Sequence, residues 1–117
     1  GGRIISISSR AAFRGDTPEY LAYAASKAGM VALSRSIARG MGKRGVKAFV
    51  VAPGFTRTEM AEDALRLYGE QFVVKDLALD RMTEPEDIAP LIVFLASGLG
   101  DHMTGATLDV NAGSYVH

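Results

Sequence analysis

The 117-residue chain contains no cysteine, no tryptophan and only two histidines, His102 and His117. Without cysteine there is neither a disulfide framework nor a thiolate zinc site, which agrees with a reducing, cytoplasmic setting. Two histidines are too few for a histidine-rich metal centre, so no metal is expected. Net charge is missing as well, since 13 Lys and Arg stand against 13 Asp and Glu. With the signs interspersed there is no long-range field to gather a polyanion, and neither nucleic acid nor an anionic membrane is an expected partner. The longest apolar runs, residues 48–53 and 89–96, fall far short of the ~20 residues that a membrane-spanning helix needs. What is present, 48% hydrophobic and 22% charged residues, is the composition of a single soluble folding unit. The chain opens Gly1-Gly2-Arg3 with no initiator Met and no leader-like segment. It runs straight into what reads as a buried strand, the pattern of a piece of something longer.

Residues 3–8 (RIISIS) are short, β-branched and bounded by glycines and a polar turn, which predicts a strand followed by a loop over residues 9–17. Asp16, Pro18 and Glu19 supply helix-start chemistry, an acidic cap three residues before Glu with Pro in the first turn. From about residue 20 to 41, Ala24, Ala28, Val31, Ala32, Ile37 and Ala38 form a small-residue stripe at helical spacing, stopped by Gly40, Gly42 and Gly45. Residues 46–52 (VKAFVVA) predict a second strand, covered on both faces and ended by Pro53-Gly54. Residues 59–80 predict one or two short helices. Thr83-Glu84-Pro85-Glu86 reads as a capping box leading a helix over residues 88–97. Residues 106–110 predict a short third strand. The order strand, helix, strand, helices, strand, with connections long enough for crossovers, is that of half a doubly wound, Rossmann-like parallel α/β sheet. A single unit, residues 1–117, is expected, corresponding to the C-terminal part of such a domain with its N-terminal half absent.

Ligands of open α/β sheets bind beyond the carboxyl ends of the strands, which directs attention to residues 8–14, 53–58 and 111–114. Tyr23 and Lys27 lie at i and i+4 on the helix after the first loop, and an ammonium one turn from a phenol favours the phenolate. A phenol so tuned can act as general acid or base near neutrality. On its own this spacing also describes a solvated or packed pair, but none of the other tyrosines, Tyr20, Tyr68 and Tyr115, has Lys four residues on. Ser9 stands where a hydroxyl can reach a substrate carbonyl, the plain alternative being a turn serine bonded to its own backbone. Pro53, Gly54, Thr56 and Thr58 can offer N–H, C=O and O–H groups to a carboxamide, or form no more than a strand-to-helix turn. Gly40-Met41-Gly42-Lys43-Arg44-Gly45 matches the G-x-G-x-x-G dinucleotide pattern by letter. It follows a helix and precedes a strand, so the helix dipole has the wrong sign for a phosphate and the segment reads as a helix C-cap.

Taken in order, I-S-S at residues 7–9, Y-A-A-S-K-A-G at 23–29, P-G-F-T-R-T at 53–58, E-P-E-D-I-A at 84–89, F-L-A-S at 94–97 and T-G-A-T-L-D-V-N-A-G at 104–113 resemble the classical short-chain dehydrogenase/reductase family. The likeness spans essentially the whole chain and is closest to the 3-oxoacyl-[acyl-carrier-protein] reductase-like branch. It implies an NAD- or NADP-dependent oxidoreductase that reduces a carbonyl or an acyl thioester substrate, or runs the reverse. Tyr23 would be the proton donor, Lys27 would hold the nicotinamide ribose, and Ser9 would position the carbonyl. Pro53, Gly54, Thr56 and Thr58 would hold the nicotinamide end. The resemblance also implies a homo-oligomer, a dimer or tetramer, and makes residues 59–80 a mobile substrate lid. Arg57 and Arg66 are candidates to meet an acidic carrier protein, although Glu59, Glu62 and Asp63 beside them suggest a mixed solvated surface.

The family's glycine-rich phosphate loop, its NAD/NADP selector and its catalytic Asn are not in this chain, and Asn111 belongs to the last-strand pattern instead. The interval from Ser9 to Tyr23 is one residue longer than the commonest family spacing, which keeps Ser8 as the alternative hydroxyl. The missing elements also support a different reading, a truncated and catalytically inactive oligomerisation or interaction fragment of such an enzyme.

Overall fold

The computed structural model describes residues 1–117, the side chain of Met60 excepted. Three strands, β1 (Gly2–Ile7), β2 (Val46–Pro53) and β3 (Thr107–Val110), form one parallel sheet in the order β1-β2-β3. Ile4 pairs with Ala48 and Val51 with Leu108, so the apolar run of β2 is central. Ala48, Phe49, Val50, Val51 and Ala52 are all buried, as expected of a strand covered on both faces. The α/β order read from the sequence is therefore present, with the parallel sheet it requires.

The helices are α1 (Ala11–Arg14), α2 (Leu21–Met41), α3 (Glu62–Tyr68), α4 (Glu70–Val74) and α5 (Pro85–Ala96). Helix α2 packs on β2 through Val31, Ser34 and Ala38. Gly45, in the left-handed region at φ 87°, turns the chain from the helix end into β2, so the G-x-G-x-x-G look-alike is a helix terminus. Helix α5 covers the sheet from a different element: Leu95 packs with Phe49 and Val51 to make the core, flanked by Ile5, Ile88, Leu91 and Leu108.

Several expectations are corrected. Residues 9–17 are not all loop, because α1 forms there once the Ser9 hydroxyl accepts the Ala11 N–H (3.1 Å) and starts the turn. Asp16 does not build a box with Glu19; its carboxylate takes the adjacent Thr17 N–H (2.8 Å), and a 3-10 turn, Pro18–Tyr20, leads into α2. Within the small-residue stripe, Ala28 and Ala32 face solvent, since the contact with β2 is narrow and is met by Val31 and Ala38. The cap of α5 is Glu84 rather than Thr83: Asp87 accepts the Glu84 N–H (2.8 Å), whereas Thr83 is buried and bridges to Thr56. Strand β1 is not buried. Ile4 and Ile7 are 44% and 43% exposed, because β1 stands at the sheet edge with one strand neighbour.

Three aspartates are tied to arginines, two of them across most of the chain. Arg81 grips Asp87 through two 2.7 Å bonds, Arg3 grips Asp101 (2.7 and 2.9 Å), and Arg14 binds Asp76 (2.7 Å). Each carboxyl is held below the ordinary aspartate range, the side-chain bond from its arginine being the main cause. A carboxyl whose folded value lies below its unfolded value contributes stability above the unfolded value and loses it as pH falls. The thermal midpoint is therefore expected to hold level down to about pH 5 and to fall progressively below about pH 4. Calorimetric scans across that range check this. A midpoint that rises on acidification contradicts these ion pairs.

Candidate active site

The three carboxyl ends of the strands are joined by backbone bonds. Past β1, the Ser8 N–H donates to Val51 O (2.8 Å) and the Arg10 N–H to Pro53 O (3.0 Å). Past β2, the Gly54 N–H donates to Val110 O (3.0 Å). Gly54 allows this close approach, since a Cβ there would lie 2.8 Å from the Cβ of Asn111. Past β3, Ala112 adopts φ 52°, a strained position for a residue with a Cβ, and is held there as its carbonyl accepts the Ala78 N–H (2.8 Å).

Helix α2 brings Tyr23 and Lys27 to this edge. The Lys27 ammonium donates to Ile7 O (3.0 Å), and the Ser8 hydroxyl donates to Lys27 O (2.9 Å). This two-way tie fixes the second turn of α2 to the end of β1. Lys27 Nζ lies 5.7 Å from the Tyr23 ring centroid, within cation–π range. The Tyr23 ring is 41% exposed and meets Tyr20 edge-on at 6.4 Å. Ser8 is buried with its hydroxyl committed, whereas the half-buried Ser9 hydroxyl accepts from Ala11 and, among the described residues, donates to none.

The loop after β2 is largely self-bonded. The Thr56 hydroxyl donates to Gly54 O (3.1 Å), and exposed Thr58 precedes a 3-10 turn, Glu59–Ala61. Arg57 binds Glu84 (2.7 Å) and Glu70 (2.7 Å), and Arg66 binds Asp63 (3.0 Å). Both arginines are thus paired with carboxylates of this chain, Arg66 on an exposed surface. Segment 59–80 folds as α3 and α4, tied down by Arg57 at Glu70 and by Arg14 at Asp76.

Arg10 and Arg14 belong to none of the motifs, yet both reach the α4 side of the site. The one signal available in the sequence is a pair of arginines four apart directly after Ser9. With α3, α4 and Phe55 they line a cleft of about 540 Å3. Tyr23 and Lys27 stand outside the lining of that cleft. Among the described residues no group of three His, Cys, Asp or Glu is placed to hold a metal, and no helix is long and apolar enough to cross a membrane.

The donor set fits one end of a nicotinamide cofactor. Lys27 has two N–H donors beyond its bond to Ile7 at the end of β1, and the side chain of Tyr23, 5.7 Å away, is 41% exposed. The glycine-rich hexad at residues 40–45 caps a helix C-terminus, which among the described residues leaves it without the donor geometry that a pyrophosphate needs.

Comparison with known proteins bears on the family and the fold. A family model described as enoyl-(acyl carrier protein) reductase matches residues 1–115. The 3-oxoacyl-[acyl-carrier-protein] reductase FabG of Haemophilus influenzae is 40% identical over 115 residues, 98% of this chain and 47% of that protein. The enzyme of the same name from Aquifex aeolicus is 35% identical over 118 residues, 97% of this chain and 45% of its own. A short-chain dehydrogenase/reductase structure from Brucella melitensis superposes with a TM-score of 0.89 at 30% identity, over 98% of this chain and 46% of that one. The chain thus spans about half the length of the curated relatives it matches. With the ordered motifs, the parallel sheet and these matches, the chain belongs to the short-chain dehydrogenase/reductase family.

Proposed function

We propose that these residues carry the catalytic centre of an NAD(P)-dependent oxidoreductase that converts a carbonyl to an alcohol or the reverse, a 3-oxoacyl thioester being one candidate substrate. The observation that supports this reading is the tie between Lys27, Ile7 and Ser8, which anchors the Lys27 ammonium at the end of β1 with the Tyr23 ring 5.7 Å away. When bound, a nicotinamide cofactor would supply the hydride that the carbonyl carbon takes up. Tyr23 gives its hydroxyl proton to the carbonyl oxygen as negative charge develops there. Ser9 donates a hydrogen bond to the same oxygen and orients the carbonyl. Ser8, with its hydroxyl spent on Lys27 O, is the weaker choice for that role. Lys27 holds ribose hydroxyls with its remaining donors and keeps positive charge beside the phenolate that forms. Pro53, Gly54, Thr56 and Thr58 border the nicotinamide end. The reading is completed by a cytoplasmic homo-oligomer, dimeric or tetrameric, with residues 1–117 forming the C-terminal part of one Rossmann-like domain.

A second reading, an inactive oligomerisation or interaction fragment, is favoured by one observation: β1 presents Ile4 and Ile7 on an open edge. One experiment separates the two. NADH and NADPH oxidation is followed at 340 nm with 3-oxoacyl thioesters and ketones, for the product of the complete reading frame and for the isolated 117-residue chain. Turnover by the first with none by the second is expected. If the complete product binds neither cofactor, the oxidoreductase reading falls and the interaction reading replaces it. Turnover by the isolated chain contradicts its expected inactivity.

A further inference from the structure

The cleft lined by Arg10, Arg14 and Phe55 combines two unlike sets of side chains. Phe55, Tyr68 and Phe72 give it an apolar wall, with Tyr68 and Phe72 stacked at 5.1 Å between ring centroids. The other set holds Arg10, Arg14 and Lys75 against the single carboxylate of Asp76. Arg10 and Arg14 both reach the same oxygen, Asp76 Oδ2, at 3.4 and 2.7 Å. Arg10 is the more enclosed, its side chain 16% exposed, and it also donates to the Ser114 hydroxyl. Burial first, and the nearby Arg14 charge second, hold the Arg10 guanidinium below its ordinary value. Three cations line the cleft against Asp76, with the Asp16 carboxylate also acting on Arg10, which leaves one positive charge unbalanced in a chain whose formal net charge is zero. An anion entering between two guanidinium groups relieves that repulsion and gains charge-assisted hydrogen bonds. The Arg10 N–H donates to Pro53 O (3.0 Å) and its Cδ lies 3.4 Å from where a Cβ on Gly54 would stand, so the cleft adjoins the loop after β2 that the reductase reading gives to the nicotinamide end.

We infer, on the reductase reading above, that the substrate is a carbonyl compound with an apolar body and a carboxylate end, the carboxylate held by Arg10 and Arg14 and the body laid along Phe55, Tyr68 and Phe72. In this arrangement Asp76 is an internal competitor for the two arginines. A neutral thioester or ketone of the same size leaves the charge unbalanced and binds more weakly.

Isothermal titration of the complete reading-frame product with 4-oxo-4-phenylbutanoate and with its methyl ester tests this, without reference to turnover. The acid is expected to bind at least ~10-fold tighter than the ester, as a charge-assisted pair provides. Arg14→Gln should erase most of that preference and Arg14→Lys should keep much of it. Asp76→Asn should tighten the acid and leave the ester unchanged, an effect that a merely structural bridge does not produce. Equal affinities, no binding of either compound, a preference that survives Arg14→Gln, or weaker acid binding in Asp76→Asn each overturn the inference. Turnover of neutral thioesters with no acid preference leaves the reductase reading standing and removes only this one. Arginine-dependent acid binding without cofactor-linked turnover does the reverse.

Discussion

Tyr23→Phe is expected to lower carbonyl reduction by the complete reading-frame product by ~10²-fold or more while cofactor binding is retained. The substitution removes one hydroxyl from a side chain that is 41% exposed and whose ring contacts are an edge to Tyr20 and the Lys27 ammonium. Phenylalanine keeps both contacts, so the fold has little reason to change. What is lost is the proton delivered to the carbonyl oxygen as charge builds on it. That interaction exists in the transition state and not in the ground state, so kcat and kcat/KM should fall together with KM nearly constant. Steady-state kinetics at 340 nm, with circular dichroism to verify folding, make the measurement. A variant that retains more than about a third of wild-type kcat would show that another group supplies the proton. Lys27→Met is a weaker test, because it also cuts the bond to Ile7 O that anchors α2 to β1.

The second large effect concerns stability. Phe49→Ala should destabilise the fold by about 3–5 kcal/mol, the range for emptying a fully buried phenylalanine site. Phe49 is 0% exposed and packs with Val51 and Leu95, each also at 0%, under the flanking apolar side chains of α5, β1 and β3. Sheet and helix meet there from both ends of the sequence, so neither can close the void without giving up its own contacts. Such a loss is a large fraction of the ~5–15 kcal/mol that folds of this size possess. The variant should unfold at markedly lower urea concentration or fail to accumulate in folded form. Leu99→Ala is the control, because Leu99 is 81% exposed and its change should stay within about 0.5 kcal/mol. Equal midpoints for the two variants would mean that the core lies elsewhere.

The local pattern of the chain was enough to establish its architecture. Apolar runs near residues 3–8, 46–52 and 106–110 announce strands, and the run over residues 46–52 is central because its side chains are apolar on both faces. Tyr23 and Lys27 are four residues apart within α2, and helical geometry alone puts them on one face. Periodicities of this kind are properties of neighbouring residues and can be read without knowing the rest of the molecule. Helix starts were less legible. Asp16 and Thr83 both have cap chemistry, but the cap is taken by whichever residue the tertiary path leaves extended, and at α5 the buried bridge of Thr83 with Thr56 passes that role to Glu84.

Tertiary structure alone decided which of two adjacent serines has a free hydroxyl, because Ser8 is committed to a carbonyl 19 residues away. Arg10, Arg14 and Asp76 meet across more than 60 residues of chain, a pairing with no local signature. The sequence by itself determined the α/β order and the one-turn spacing of Tyr23 and Lys27 on a single helix. Only the folded chain decided which hydroxyls are spent on the backbone and where positive charge goes unbalanced, because those depend on contacts between segments that no periodicity links.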